Sequence, residues 1–108
     1  IIDCLFKPDY AGGIVEVAKA IYASKDKIKF GTLLQYTKIF DSQAVIKRLG
    51  FLLELLEIRT DIIDELLEMK TDSYLLLDTE LPKTGKRISR WSIQQNLETE
   101  TIKSALFT

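Results

Sequence analysis

Residues 73–96, S-Y-L-L-L-D-T-E-L-P-K-T-G-K-R-I-S-R-W-S-I-Q-Q-N, decide how the rest of the chain is read. Tyr74 to Leu77 is an apolar, β-prone run, Pro82 and Gly85 interrupt the chain after it, and Trp91 and Ile93 anchor a second β-prone run. Two such runs joined by a Pro/Gly loop predict a hairpin. Lys83, Lys86, Arg87 and Arg90 follow one another with no acid among them, which puts positive charge at the tip and along the return strand. A cationic tip beside an aromatic suits a polyanion or an acidic protein surface better than bond-making chemistry. The plainer reading is a solubilising edge strand, because Lys and Arg guard sheet edges against pairing with other chains.

On the N-terminal side of this stretch, apolar residues recur at helical spacing. Residues 1–7 read as the end of a helix closed by Pro8, since the residue before a proline is pushed out of the helical region. After Gly12-Gly13, a second helix over about 14–24 places Ile14, Val17, Ala18, Ile21 and Tyr22 on one face. Thr32 is the expected N-cap of a third helix carrying Leu33, Leu34, Tyr36 and Phe40. A fourth, capped by Asp41 or Ser42 and running over about 43–57, has Val45, Leu49, Leu52, Leu53 and Leu56 as its main stripe. Ile46, Phe51 and Leu55 widen that stripe until little polar surface remains, which requires neighbours on most sides. Gly50 lies inside this helix, where glycine costs about 1 kcal/mol relative to alanine; close approach of another element would offset that. Thr60 caps a fifth helix with Asp61 and Asp64 in its first turn, where the helix dipole favours anions. Its buried face is Ile62, Ile63, Leu66, Leu67 and Met69, and Thr99 to Phe107 suits a short closing helix. The expected fold is α+β: a mainly helical domain of about five helices with a C-terminal β-hairpin.

Composition narrows the function classes. A chain of 108 residues supports one domain with one core. Its 46% hydrophobic and 29% charged residues describe a globular chain, not a disordered one. The apolar runs are too short to span a bilayer and no signal peptide opens the chain, so a cytoplasmic location without a membrane partner is expected. There is no histidine, which removes the usual general base and the commonest metal ligand. The single cysteine, Cys4, sits in an apolar run as a small core residue and fits a reducing compartment. Asp61, Asp64, Glu65 and Glu68 are spaced as a solvated stripe, and no Gly-Lys-Ser/Thr follows Gly12-Gly13. We expect no enzyme, no catalytic residues, no metal and no cofactor.

Charge is unevenly spread. Residues 1–53 carry eight cations against five acids, 54–80 two against nine, and 81–108 five against two. An acidic fifth helix is thus flanked by two basic segments. Helix, helix, helix, strand, basic loop, strand is also the order of a winged-helix DNA-binding domain. Its recognition helix would be the fifth, whose four acids face a single lysine, Lys70, and would repel phosphates. A free-standing winged helix is therefore rejected here, while a stand-alone nucleic-acid-binding domain using the basic hairpin as a wing stays as the alternative function. The candidate binding surface is Lys47, Arg48, Lys83, Lys86, Arg87, Arg90 and Trp91. For Lys47 and Arg48 the plainer reading is a solvated strip on the fourth helix; for Trp91 it is a packing anchor beneath the hairpin.

Three ordered segments resemble a known family. Asp3-Cys4-Leu5 with Pro8, Tyr10 and Ala11-Gly12-Gly13-Ile14 resembles the D-C-L…P-x-x-A-G-G-I signature of the AbiEi antitoxins. Ala44-Val45-Ile46-Lys47-Arg48-Leu49-Gly50-Phe51-Leu52-Leu53-Glu54 resembles that family's A-V-x-R-R-L-G-Y-L-L-E segment. Leu77-Asp78, Leu81-Pro82, Gly85-Lys86 and Ser89-Arg90-Trp91 resemble its L-D-P…P…G…N-x-R-W close. Phe51 stands where Tyr is usual, Thr79 where Pro is usual, and Ile88-Ser89 where Asn-Ser or similar is common; no charge is lost. The resemblance implies that residues 1–108 are the C-terminal domain of an antitoxin and transcriptional regulator of a type IV toxin–antitoxin, or abortive infection, system. It implies a preceding winged helix in the parent protein that binds operator DNA, and a nucleotidyltransferase-like toxin as the functional antagonist. Stable contact with that toxin is not required in the family, and homodimerisation stays open.

Overall fold

The structure, a computed structural model, describes residues 1–107. In chain order it comprises α1 (Ile2–Phe6), a 3₁₀ turn (Pro8–Ala11), α2 (Ile14–Ser24), α3 (Phe30–Phe40), α4 (Gln43–Leu55), α5 (Ile62–Met69), β1 (Leu75–Leu76), β2 (Lys86–Ile88), β3 (Ile93–Gln95) and α6 (Thr99–Ala105). The fold is α+β and mostly helical, with a small sheet on the C-terminal side, as the sequence periodicities require.

Helix α4 is the centre of the molecule. Ser42 Oγ accepts the Val45 N–H at 3.4 Å at its start, and every residue from Val45 to Leu53 is buried. That continuous burial answers the apolar breadth of its sequence: α1, α5 and β3 all pack on it. Helix α2 buries Ile14, Val17, Ala18 and Ile21 and is flanked by α1 and α6. Helix α5 buries Ile62 and Leu66 and turns Asp61, Asp64, Glu65 and Glu68 to solvent, the expected acidic stripe.

Helix α3 departs from expectation. It starts at Phe30, two residues before Thr32, and no side chain caps it. Only Leu34 and Thr37 are buried, while Tyr36 is 59% exposed. The helix has α5 as its main neighbour, so one narrow strip suffices. Phe40 finds the Phe6 ring of α1, with centroids 5.3 Å apart.

The sheet corrects the expected strand pairing. Its order is β1-β3-β2, with β1 parallel and β2 antiparallel to β3. The hairpin is therefore β2–β3, closed by residues 89–92, with the Ser92 N–H donating to the Ser89 carbonyl at 3.2 Å. The Pro82–Gly85 segment is no hairpin tip; it carries the chain from one edge of β3 to the other. Gly85 is required in that passage, since its φ is +89° and a Cβ there would collide with the Gln95 carbonyl. Parallel pairing places Leu77 beside the same interior as Ile93, both fully buried. Tyr74–Leu77 has no antiparallel partner; side chains of α4 hold the backbone of this region at Ser73 and Leu76.

Candidate functional site

The seven residues expected to form one surface divide into two groups. Lys47 and Arg48 are interior side chains, 1% and 3% exposed, and Trp91 is 1% exposed. Lys83, Lys86 and Arg87 are exposed, and Arg90 is exposed but already paired. Lys47 and Arg48 are therefore no solvated strip, because α4 is covered on the side that carries them, and Trp91 is the packing anchor beneath the hairpin and not part of a binding surface.

Arg48 shows why. Its Nη1 donates to the carbonyls of Leu5 at 2.8 Å and Phe6 at 3.0 Å, at the end of α1. Its Nε and Nη2 both reach the Leu76 carbonyl in β1, at 3.2 and 2.9 Å. A guanidinium can serve both directions because its donors fan out in a rigid plane. Burial lowers its pKa from the ordinary arginine value, opposed by the nearby charge of Asp78. Lys47 binds the segment just before β1, donating to Thr71 Oγ1 at 3.0 Å and to the Ser73 carbonyl. Burial lowers its pKa, with the neighbouring Lys70 adding to the shift and Asp72 opposing it. Gln43, one turn earlier, accepts the Thr71 N–H at 2.8 Å and donates to the Met69 carbonyl at 3.0 Å. Helix α4 thus fastens residues 69–76 by three polar side chains at helical spacing.

Asp78 makes a further link. Its Oδ2 accepts the Ile14 N–H, the first of α2, at 3.1 Å, and its Oδ1 accepts the Glu80 N–H at 2.9 Å. A distant carboxylate therefore caps α2, whose own preceding residue, Gly13, has no side chain to do so. Asn96, the residue after β3, secures the same corner: its side chain accepts the Asp78 N–H at 3.0 Å and donates to the carbonyls of Asp78, Leu81 and Pro82.

At the far end of α4, Glu54 accepts from Arg90 Nε at 2.7 Å and Nη2 at 2.8 Å, and from Trp91 Nε1 at 2.5 Å. The Arg90 hydrogen bonds hold the Glu54 carboxyl below its ordinary pKa, against an opposing effect of burial and with the indole assisting. Arg90 is correspondingly raised, chiefly by its hydrogen bonds to Glu54. The Trp91 ring then lies where a side chain on Gly50 would be. The close approach expected at Gly50 is this indole.

What remains free is a short basic strand. Lys83, Lys86 and Arg87 make no ion pair among the described residues; Arg87 instead places its guanidinium over the Tyr74 ring, 5.0 Å from its centroid. Sequence reasoning missed Asp78, Asn96 and Gln43 as polar anchors. Among the described residues no group of three or more Cys, Asp or Glu is placed to hold a metal ion, and no helix is long and apolar enough to cross a membrane. Compared with known proteins, the chain matches no family model, no curated protein and no solved structure.

Proposed function

We propose that this chain is the antitoxin and regulatory domain of a type IV toxin–antitoxin system, acting in the cytoplasm against a nucleotidyltransferase-like toxin and assisting repression of the operon. One observation carries the reading. The three AbiEi-like segments supply one another's partners: Arg48 and Gly50 of the middle segment meet Leu5 of the first and Trp91 of the third, while Asp78 of the third caps Ile14 of the first. Mutual packing of this kind supports reading the three segments as one scaffold. On this reading most of the signature maintains the scaffold, and the exposed Lys83, Lys86 and Arg87 present the recognition surface. Operator DNA would be read by the parent protein's winged helix, with this domain supporting it. The alternative of a stand-alone nucleic-acid binder loses support, because Lys47 and Arg48 are buried and Arg90 is neutralised by Glu54.

Co-expression with the adjacent toxin gene tests the proposal, with growth as the readout. The wild-type domain should rescue growth, and the triple variant Lys83→Glu, Lys86→Glu, Arg87→Glu should fold yet fail to rescue. Absence of rescue by the folded wild-type chain, or full rescue by the triple variant, contradicts the proposal.

A further inference from the structure

We infer that the cleft between the open edge of β2 and helix α6 receives an extended polypeptide segment, in which apolar residues facing the cleft alternate with acidic residues facing away. The inference rests on the proposed role of the basic strand as a recognition surface and names what that strand recognises.

The backbone supplies the first part. The Leu75 and Leu77 N–H groups donate to the Ser92 and Gln94 carbonyls, so those groups of β3 face β1. Alternation then turns the backbone groups of Ile93 and Gln95 toward β2, where their partners are Ile88 and Lys86. The N–H and C=O of Arg87, between those two, consequently point away from the sheet. Strand β2 is an edge with a donor and an acceptor directed outward, the geometry by which an extended peptide adds to a sheet.

The cleft supplies the second part. A hollow of about 370 Å³ lies against Ile88, its apolar wall formed by Phe51 and Leu55 of α4 and by Trp91, and its charged lining by Glu54, Glu57, Arg90 and Lys103 of α6. Through Gln95 and Thr99 it continues into a second hollow of about 410 Å³ beside Gly85 and Lys86. Ile88 and Lys86 line the cleft from one face of β2, so a strand laid beside it would send every second side chain the same way. Apolar side chains fit the first hollow. Glu98 and Glu100 border the second, so acids are unwelcome there.

Charge supplies the third part. Arg87 lies on the opposite face of the sheet, over Tyr74, and neither it nor Lys83 has an acid partner among the described residues. Acidic residues belong on that outer side. A nucleic-acid strand has no regular peptide N–H and C=O groups with which to continue the sheet at Arg87, whereas an extended polypeptide has both. An acidic and apolar alternation satisfies both faces at once.

The test is fluorescence anisotropy of the full chain with a labelled synthetic peptide, Glu-Val-Glu-Leu-Glu-Val-Glu. Three probes serve as comparisons: its Lys-for-Glu counterpart, a version with Pro at both the central leucine and the glutamate before it, so that one of them meets the Arg87 amide in either strand direction, and a short oligothymidylate. The acidic peptide should bind at least about tenfold more tightly than each comparison, a gap of one decade in Kd. Arg87→Ala should weaken binding modestly, and Arg87→Pro, which removes the outward N–H at an edge position that tolerates proline, should abolish it. Hydrogen exchange at the Arg87 amide of the wild-type chain provides a readout independent of any variant, and it should slow when the peptide is added. Equal binding of the Pro peptide, preference for the oligonucleotide, or unchanged Arg87 exchange at saturating peptide would each overturn the inference. Growth rescue is scored separately: rescue without peptide binding overturns this inference and leaves the proposed function standing, whereas peptide binding without rescue supports the inference and removes the function.

Discussion

The indole of Trp91 occupies the space that a side chain at residue 50 would fill. A Cβ built on Gly50 would lie 2.1 Å from Trp91 Cζ3, so helix and hairpin meet without an intervening methyl group. The glycine that weakens α4 as a helix is what admits the sheet. The indole N–H, at the other end of the ring system, is satisfied by Glu54, one turn along the same helix. A large aromatic can be buried there because its one polar atom has a partner.

Gly50→Ala is therefore expected to destabilise, although alanine is the better helix former. Overpacking of this kind costs about 1–3 kcal/mol, which corresponds to roughly 4–8 °C in melting temperature per kcal/mol for a domain this small. Gly50→Leu should cost more. Thermal denaturation of the two variants, alone and combined with Trp91→Leu, checks this. The Ala variant should be milder in the Trp91→Leu background, because the two sites share one volume.

Arg48 and Arg87 are both cations of the candidate surface, yet their variants should behave oppositely. Replacing Arg48 by Lys leaves a single ammonium that cannot reach the carbonyls of Leu76 and of Leu5 and Phe6 at once. Each buried carbonyl left without a donor costs about 1–3 kcal/mol, so Arg48→Lys should lower the urea midpoint markedly and Arg48→Ala further. Arg87→Glu, on the exposed strand, should leave the midpoint within about 0.5 kcal/mol of wild type. A basic-surface role for Arg48 would predict the reverse ordering.

The Glu54 cluster gives a pH dependence of definite sign. A carboxyl held below its ordinary value of 4.5 in the folded chain stabilises that state fully above the unfolded pKa. The contribution disappears as pH falls through the lower folded value. Arg90, raised above the ordinary arginine value, would lose its contribution only in strong base, so it does not shape the acid limb. Wild type should therefore exceed Glu54→Gln in stability by a constant margin above about pH 4.5, and the margin should narrow below it. Denaturant unfolding of both proteins across the acid range measures the margin directly. A margin that persists undiminished at the acid end would exclude the carboxylate charge as its source.

Asp78 reaches the start of α2 from 64 residues away in sequence. Asp78→Ala should release the Ile14 N–H and cost about 1–2 kcal/mol, the usual effect of losing a helix cap. Amide exchange at Ile14 should accelerate more than exchange at Leu49 in the middle of α4. Gly13→Ala should damage the same corner by another route, because φ there is +111° and the new Cβ would lie 3.3 Å from Asp78 Oδ2.

The helices were legible because burial on one face leaves a periodic record. Ile14, Val17, Ala18 and Ile21 announce α2, and the breadth of apolar residues in α4 announces its burial. The sheet was legible only as two β-prone runs, since residue types do not state which strand pairs with which. A three-residue strand, Lys86–Ile88, contains two charged residues and carries almost no apolar pattern. The candidate surface was misread for a related reason. Charge in a sequence suggests solvent, but Lys47 and Arg48 are spent on carbonyls that β1 and α1 leave without partners. Residue type alone does not distinguish those two cations from Lys83 or Arg87. The continuous apolar residues on either side of them were the available signal, because a helix buried on most sides has little solvent to offer Lys47 or Arg48.

Removing these cations from the surface changes what nucleic-acid binding can amount to. Of six basic side chains once assigned to it, Lys47 and Arg48 are interior and Arg90 is held by Glu54, leaving Lys83, Lys86 and Arg87. Each phosphate neutralised on a duplex contributes roughly −0.9 to the slope of log affinity against log salt, so three contacts give a slope of about −3 at most. The exposed acids of α5 and the net charge of −1 oppose even that. The isolated chain should therefore bind a promoter duplex weakly, equally to a scrambled duplex, and with a shallow salt dependence. Titration of both duplexes at several salt concentrations measures slope and preference together. A slope steeper than about −5, or a clear preference for the promoter, would require cations beyond these three to reach phosphate. That result would mean that exposed cations outside the hairpin, such as Lys7, Lys27, Lys29 and Arg59, join the contact while Arg48 stays on its carbonyls.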